Sequence, residues 1–222
     1  MNRIPMNVFV VGDVHGCQKT FKKLVKEHWQ PETEILVQLG DLINRGNFVA
    51  ETVLYVQELQ DKWRDRVVVL RGNHEQKCIN FVESGRDRDW SWRSRKKTIA
   101  SFQRKGMELT EVSKWLQQLP LVWETESLCL THAGIAVTTN QPFDPNNKEG
   151  VLWTKSPLKN IGKLQVVGHT PMPGGIPRYN PDGHVWYIDT GVFLRRTLTG
   201  IKFNEQGQLV DCHSIPTDPR DI

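Results

Sequence analysis

The sequence predicts an α/β fold in which short apolar strands end in polar, glycine-bearing turns and alternate with amphipathic helices. Three features lead to it. Five apolar runs each finish in a turn that carries Asp, His or Asn. The first three runs are separated by stretches with apolar residues at helical spacing, the β-α-β-α-β arrangement of a doubly wound sheet. Beyond Leu164, strand-like runs follow one another with only turn residues between them, so that part is expected to be antiparallel or mixed.

Taken in order, Val8-Phe9-Val10-Val11 reads as a buried strand ending at Gly12-Asp13-Val14-His15-Gly16. Phe21, Leu24, Val25 and His28 then fall at helical spacing with lysines opposite, predicting a helix over 17–29. Ile35-Leu36-Val37-Gln38-Leu39 is the second strand and delivers Gly40-Asp41-Leu42-Ile43-Asn44-Arg45-Gly46. Val53, Leu54, Val56 and Leu59 mark the inner face of a helix over 50–63. The third strand, Val67-Val68-Val69-Leu70, leads into Arg71-Gly72-Asn73-His74-Glu75, with a helix running on through 78–83. Crossovers between these strands are expected to be right-handed. Thr110 and Glu111 start a further helix that Pro120 ends. Short strands over 121–124 and 127–131 suggest a hairpin, and the second ends at Thr131-His132-Ala133-Gly134. Residues 138–158 read as loop, and Leu164-Gln165-Val166-Val167 as a strand ending at Gly168-His169-Thr170. Strands over 185–189, 198–203 and 209–213 follow, and the polar tail 216–222 is expected to fray. With no repeat, heptad or linker, the chain reads as one domain over 1–222 with a basic, lid-like insertion at about 84–106.

The net charge of +4 is too small to predict a nucleic-acid track, and no specific nucleic-acid binding is expected. Residues 86–105 hold eight basic residues against two acidic, a net of +6 that leaves the other 202 residues at −2. An anionic substrate fits such a local feature. Its tryptophans, Trp90 and Trp92, either grip that substrate or pack inward beneath a solvated helix. Cys17, Cys78, Cys129 and Cys212 are scattered without a CxxC pair, which suits reduced thiols in a cytoplasmic protein. No apolar run approaches the ~20 residues needed to span a bilayer, and no membrane association is expected.

The turns together offer Asp13, His15, Asp41, Asn73, His132 and His169. Hard oxygens mixed with imidazoles and no thiolate suit Mn²⁺, Fe or Zn²⁺ better than Ca²⁺ or a structural cysteine site. Six ligands exceed what one catalytic ion with an open position takes, and suit two ions sharing a bridge. Paired divalent ions are a device for displacement at phosphorus, so the residues predict a dinuclear hydrolase of phosphate esters.

In their order, these motifs, with Gly168-His169-Thr170-Pro171, Trp153-Thr154-Lys155 and Tyr187-Ile188-Asp189-Thr190-Gly191, resemble the phosphoprotein phosphatases of the calcineurin-like metallophosphoesterase superfamily. The match spans 12–191, and size and layout are most similar to small bacterial and phage members, symmetrical diadenosine tetraphosphatases among them. The resemblance implies two mixed β-sheets packed face to face and flanked by helices. It implies that Asp13, His15 and Asp41 hold one metal ion and that Asp41, Asn73, His132 and His169 hold the other, with Mn²⁺ foremost and Fe or Zn as alternatives. A metal-bridging hydroxide would attack phosphorus, His74 would protonate the leaving alkoxide, and Arg45, Asn73 and Lys155 would contact the phosphate.

Two positions depart from the family pattern. Asn44 stands where protein-phosphatase members carry the Asp that pairs with the catalytic His; symmetrical diadenosine tetraphosphatases resemble this chain in lacking that Asp. An amide can orient the His74 ring but cannot stabilise its protonated form as a carboxylate would. Lys155 stands where the family usually has Arg, keeping the charge and losing the bidentate fork. Glu75, Arg45 and the likeness to small bacterial phosphatases make a serine/threonine-type protein phosphatase acting on phosphate monoesters the expected function. The alternative is a symmetrical dinucleoside polyphosphate hydrolase, and a third reading is a catalytically weak phosphate-binding protein.

Overall fold

The structure, a computed structural model, describes residues 6–86 and 89–222. Asp87 and Arg88, within the expected basic insertion, and residues 1–5 lie outside the described residues. Strands β1 (Asn7–Val11), β2 (Glu34–Gln38) and β3 (Val67–Val69) pair in parallel in that order. Helices α1 (Gln18–His28) and α2 (Val49–Trp63) connect them, as predicted. Three more helices follow: α3 (Asn73–Ser84), α4 (Trp92–Arg104) and α5 (Leu109–Gln118). β4 (Val122–Glu124) and β5 (Leu128–Thr131) form the expected antiparallel hairpin. The remaining strands are β6 (Leu164–Val167), β7 (Arg178–Asn180), β8 (Val185–Tyr187), β9 (Thr197–Phe203) and β10 (Leu209–Pro216).

The strands make two mixed sheets, β10-β9-β1-β2-β3 and β4-β5-β6-β8-β7. Side chains alternate across a strand, and β1 uses both faces. Val8 and Val10 join Val37, Ile201 and Phe203 against Leu128, Leu130, Leu164 and Val166 of the second sheet. Phe9 and Val11 point the other way, into a cluster with Phe21, Leu24 and Val25 of α1 and Val53 and Val56 of α2. This corrects the doubly wound expectation, because helices cover one face of the first sheet and a second sheet covers the other. An apolar strand needs cover on both faces, and its sequence does not distinguish a helix from a sheet as the cover.

Smaller corrections follow from long-range contacts. The tail 216–222 is docked, not frayed: Asp221 is buried and its carboxylate accepts from Lys19 N at 3.0 Å, Thr20 N at 2.8 Å and Thr20 Oγ1 at 2.6 Å. Cys17, at the N-cap of α1, gives no side-chain capping bond, and the carboxylate of Asp221 caps that helix instead. β7 was not predicted; it pairs with β8 as an edge strand between two prolines. The strand expected over 185–189 stops at Tyr187, and α5 begins at Leu109 rather than after Thr110. Residues 138–158 hold no helix or strand. Among the described residues no helix is long and apolar enough to cross a membrane.

Candidate metal centre

Because β1, β2 and β3 are parallel, the turns after them emerge at one edge, and the same holds for β5 and β6. The edges meet where His169 N donates to Asp13 Oδ1 at 3.1 Å and His132 Nδ1 bonds Leu39 O at 2.8 Å. Two buried side chains lock the turns together. Gln38 Nε2 donates to Gly12 O at 3.1 Å and Gly40 O at 2.6 Å, tying the first turn to the second. Glu75 accepts from the backbone N–H of Asp41 (2.7 Å), Leu42 (3.0 Å), Ile43 (3.2 Å) and Gly72 (2.8 Å), tying the second to the third. His15, Asp41, Asn44, Arg45 and His169 all have positive φ, backbone strain concentrated in the turns that carry the chemistry. Glycine is required where the carboxylates are approached: a Cβ on Gly168 would collide with Asp13 Oδ1, and one on Gly72 with Asp41 Oδ1.

Asp13, His15, Asp41, Asn73, His132 and His169 are thereby brought together. Their donor atoms fall into groups that share Asp41: Asp13 with Asp41 and His132, and His15 with Asp41 and His74. His169 joins through Nδ1, 3.2 Å from His132 Nε2. Hydrogen bonds assign the tautomers. His15 Nδ1 faces Ile43 O at 3.1 Å, His132 Nδ1 faces Leu39 O, and His169 Nε2 faces Trp153 O at 3.2 Å. Each ring therefore spends its one proton on a carbonyl and turns a lone pair inward, the orientation seen in metal-ligating histidines. The Asn73 oxygen adds a third acceptor, 3.1 Å from both His132 Nε2 and Asp41 Oδ2 and 3.3 Å from His169 Nδ1. Turned over, the amide would donate to those atoms and accept from Lys77 Nζ at 3.2 Å. Acceptor packed against acceptor is stable when a cation sits among them, so the donor set fits divalent metal.

Electrostatics agrees. Burial, aided by repulsion from Asp189 and Asp41, holds the Asp13 carboxyl well above its ordinary range, and burial pushes Asp41 up to about 7. Burial likewise lowers His15 and His169 well below the usual imidazole value and His132 to about 4, leaving neutral rings. A cluster short of positive charge is one that a divalent ion would stabilise.

His74 differs from these ligands. The Trp90 indole N–H, which can only donate, meets Asn44 Oδ1 at 2.8 Å; Ser94 Oγ (3.0 Å) and Thr98 Oγ1 (2.8 Å) bond the same oxygen. The Asn44 amide nitrogen must then donate to His74 Nδ1, 2.6 Å away. Neutral His74 therefore carries its proton on Nε2, 3.9 Å from Asp41 Oδ2, and an N–H cannot ligate a metal. Arg45 lies over Phe193, guanidinium carbon 3.9 Å from the ring centre, and Phe193 also meets the edge of His15. Lys155 is exposed, and its charge helps lower the His169 pKa.

Sequence reasoning missed Phe193, Gln38, Ser94 and Thr98, none of which carries a local motif; of the two tryptophans expected to grip substrate or pack inward, Trp90 is buried against Asn44 and Trp92 is exposed. Lys77 was not singled out either, although a signal was there: it follows Asn73 by one helical turn and shares its face. Asp189 sat in a noted motif without a role. It is buried, pushed up to about 7 by burial, and its Oδ2 has no hydrogen-bond partner among the described residues. His28 and His213 stack on each other and His184 bonds Tyr179, so these three are engaged elsewhere. Cys17 is fully buried, which favours packing over redox chemistry.

The family model for calcineurin-like phosphoesterases matches residues 6–197. The chain belongs to the calcineurin-like phosphoesterase family. It is a metal-dependent phosphoester hydrolase. Among its curated relatives, serine/threonine-protein phosphatase 1 of Salmonella typhimurium is 29% identical over 211 residues, covering 87% of this chain and 90% of that protein. A symmetrical bis(5'-nucleosyl)-tetraphosphatase of Aromatoleum aromaticum is 30% identical over 131 residues, which cover 59% of this chain and 45% of that protein. A crystal structure of a candidate diadenosine tetraphosphatase superposes with a TM-score of 0.69 at 18% identity, covering 98% of this phosphoesterase and 96% of that chain. That likeness bears on the fold alone, and agrees with the two-sheet architecture.

Proposed function

We propose that this phosphoesterase holds one divalent ion on Asp13, His15 and Asp41 and a second on Asp41, Asn73, His132 and His169, and uses them to hydrolyse phosphate monoesters. The observation that carries this reading is the inward lone pairs of His132 Nε2 and His169 Nδ1, 3.2 Å apart beside the Asn73 oxygen. Nitrogen and oxygen donors without thiolate favour Mn²⁺, with Fe and Zn as alternatives. The bound pair would supply an activated water and neutralise phosphoryl charge. Arg45, steadied on Phe193, offers its guanidinium fork to phosphoryl oxygens, with Asn73 and Lys155 as further contacts. His74 Nε2–H faces the leaving oxygen. A serine/threonine-type protein phosphatase is the first substrate reading, supported by the near full-length similarity to the Salmonella enzyme. The second is a dinucleoside polyphosphate hydrolase, favoured by the Asn44 amide that keeps His74 neutral. One domain with residues 84–106 as a lid belongs to the same proposal, supported by the bonds from Trp90, Ser94 and Thr98 to Asn44. So does a cytoplasmic setting, supported by four free thiols.

The test is Mn²⁺ titration of EDTA-stripped protein with p-nitrophenyl phosphate and a phosphoserine peptide as substrates. Two ions per chain are expected, with His169→Ala binding about one and losing at least roughly 100-fold in turnover. Full activity in EDTA, or one ion per chain, would overturn the assignment.

A further inference from the structure

A cavity of about 460 Å³ is lined by His74 together with Arg45, Lys77, Arg93, Lys97, Asp89 and Trp90. We propose that it is a subsite for a phosphate-bearing leaving group, so that the enzyme cleaves phosphoanhydrides of the nucleoside or inorganic polyphosphate class. This rests on the second reading above and deepens it.

Position comes first. His74 lines the cavity, and its Nε2 lies 3.9 Å from Asp41 Oδ2, so the space adjoins the Asp41 cluster on the His74 side, where a group protonated or held by His74 would depart. Charge comes second. Arg45, Lys77, Arg93 and Lys97 surround it, and the Asp89 carboxylate is paired with Lys148. A departing serine is neutral and gives four cations nothing to hold, whereas a departing phosphate matches them. Volume comes third: the space is within the usual range for small-molecule pockets and far exceeds one serine side chain.

An independent hydrogen-bond pattern points the same way. Neutral His74 with its proton on Nε2 can donate a hydrogen bond, but surrendering that proton would leave an imidazolate. A phosphate leaving group needs only the hydrogen bond. In the step, water oxygen bonds to the attacked phosphorus and the bridging P–O bond breaks, its electron pair staying on the bridging oxygen. That oxygen leaves as part of the departing phosphate; one water is consumed and, near neutral pH, one proton reaches solvent. Trp90 and Ser94 serve both features, since they line the cavity and hold Asn44 Oδ1.

The test compares kcat/KM of the Mn²⁺-loaded chain for tripolyphosphate, diadenosine tetraphosphate, a phosphoserine peptide and p-nitrophenyl phosphate, in wild type and in Arg93→Glu. Arg93 is exposed, so the fold should tolerate the change. The expected result is that Arg93→Glu lowers both anhydride values at least about tenfold relative to p-nitrophenyl phosphate, mainly through KM. Lys97→Gln should do so more weakly. Calorimetry in EDTA should show ADP binding to wild type and weaker binding to Arg93→Glu. Tripolyphosphate matching diadenosine tetraphosphate would identify the phosphates alone as the ligand; a faster dinucleotide would add the nucleoside. An equal fall on all substrates, or a loss confined to the phosphopeptide, would overturn the subsite. So would cleavage of p-nitrophenyl phosphate without cleavage of either anhydride. If Mn²⁺ supports no p-nitrophenyl phosphate hydrolysis, the proposed function fails, and ADP binding in EDTA decides the subsite by itself.

Discussion

At the residue scale the proposed chemistry depends on what Asn44 presents to His74. Three donors on one side fix the amide oxygen, so the amide nitrogen faces the ring. Asn44→Asp would keep those three donors satisfied and add an acceptor for a proton on His74 Nδ1, stabilising the imidazolium. Turnover of a phosphoserine peptide should rise on the order of tenfold to a hundredfold, within the usual worth of general acid catalysis. p-Nitrophenyl phosphate, whose phenolate leaves unaided, should change less than about threefold. Steady-state rates on both substrates check this, and an unchanged peptide rate would show that the His74 proton is not limiting. The six clustered residues proposed as ligands were legible because each stands in a glycine-bearing turn after an apolar strand. Their supports were not: Gln38 reads as one more strand residue and Trp90 as part of a basic run. Only the tertiary fold shows that one clamps two turns and the other orients an amide.

Elements followed the same division. The apolar stripes of α1 and α2 and the runs of β1 to β3 were readable because periodicity is local. The second sheet's role as cover was not, since nothing in Val8 or Val10 distinguishes Leu130 from a helix as partner. The C-terminal tail shows the limit best. Its polar sequence predicts fraying, yet α1 has a cysteine at its N-cap, no acidic residue in its first turn, and unpaired N–H groups that Asp221 satisfies. Asp221→Ala should cost about 1–2 kcal/mol, the usual worth of a cap, and lower Tm by about 3–6 °C for a chain of this size. Calorimetric unfolding of the variant measures it, and an unchanged Tm would mean that water caps α1 equally well.

The whole molecule stores unfavourable charge at the junction of its two sheets, and pH makes that visible. Asp41 and Asp189 are each pushed up to about 7, mainly by burial, while unfolded carboxylates titrate near 4. Their contribution to stability is full below about pH 4 and is lost as pH rises through 7, because there the folded state binds more protons than the unfolded. The lowered histidines, His132 at about 4 among them, act oppositely: the unfolded chain binds their protons below about 6.5, so their contribution grows up to that pH and then stays level. The two effects oppose each other below pH 6.5, and only the carboxylates act above it. In EDTA, Tm should therefore fall between about pH 6.5 and 7.5. Divalent metal reverses the sign, because its binding releases those carboxylate protons and strengthens as pH rises. At a hundredfold excess over Kd, binding adds about 2.7 kcal/mol, so the gap in Tm between Mn²⁺ and EDTA should widen across this window. Thermal melts at matched ionic strength follow both curves. Parallel curves would mean that no buried carboxylate at the junction titrates with folding, and that the cluster does not gather its charge for a metal.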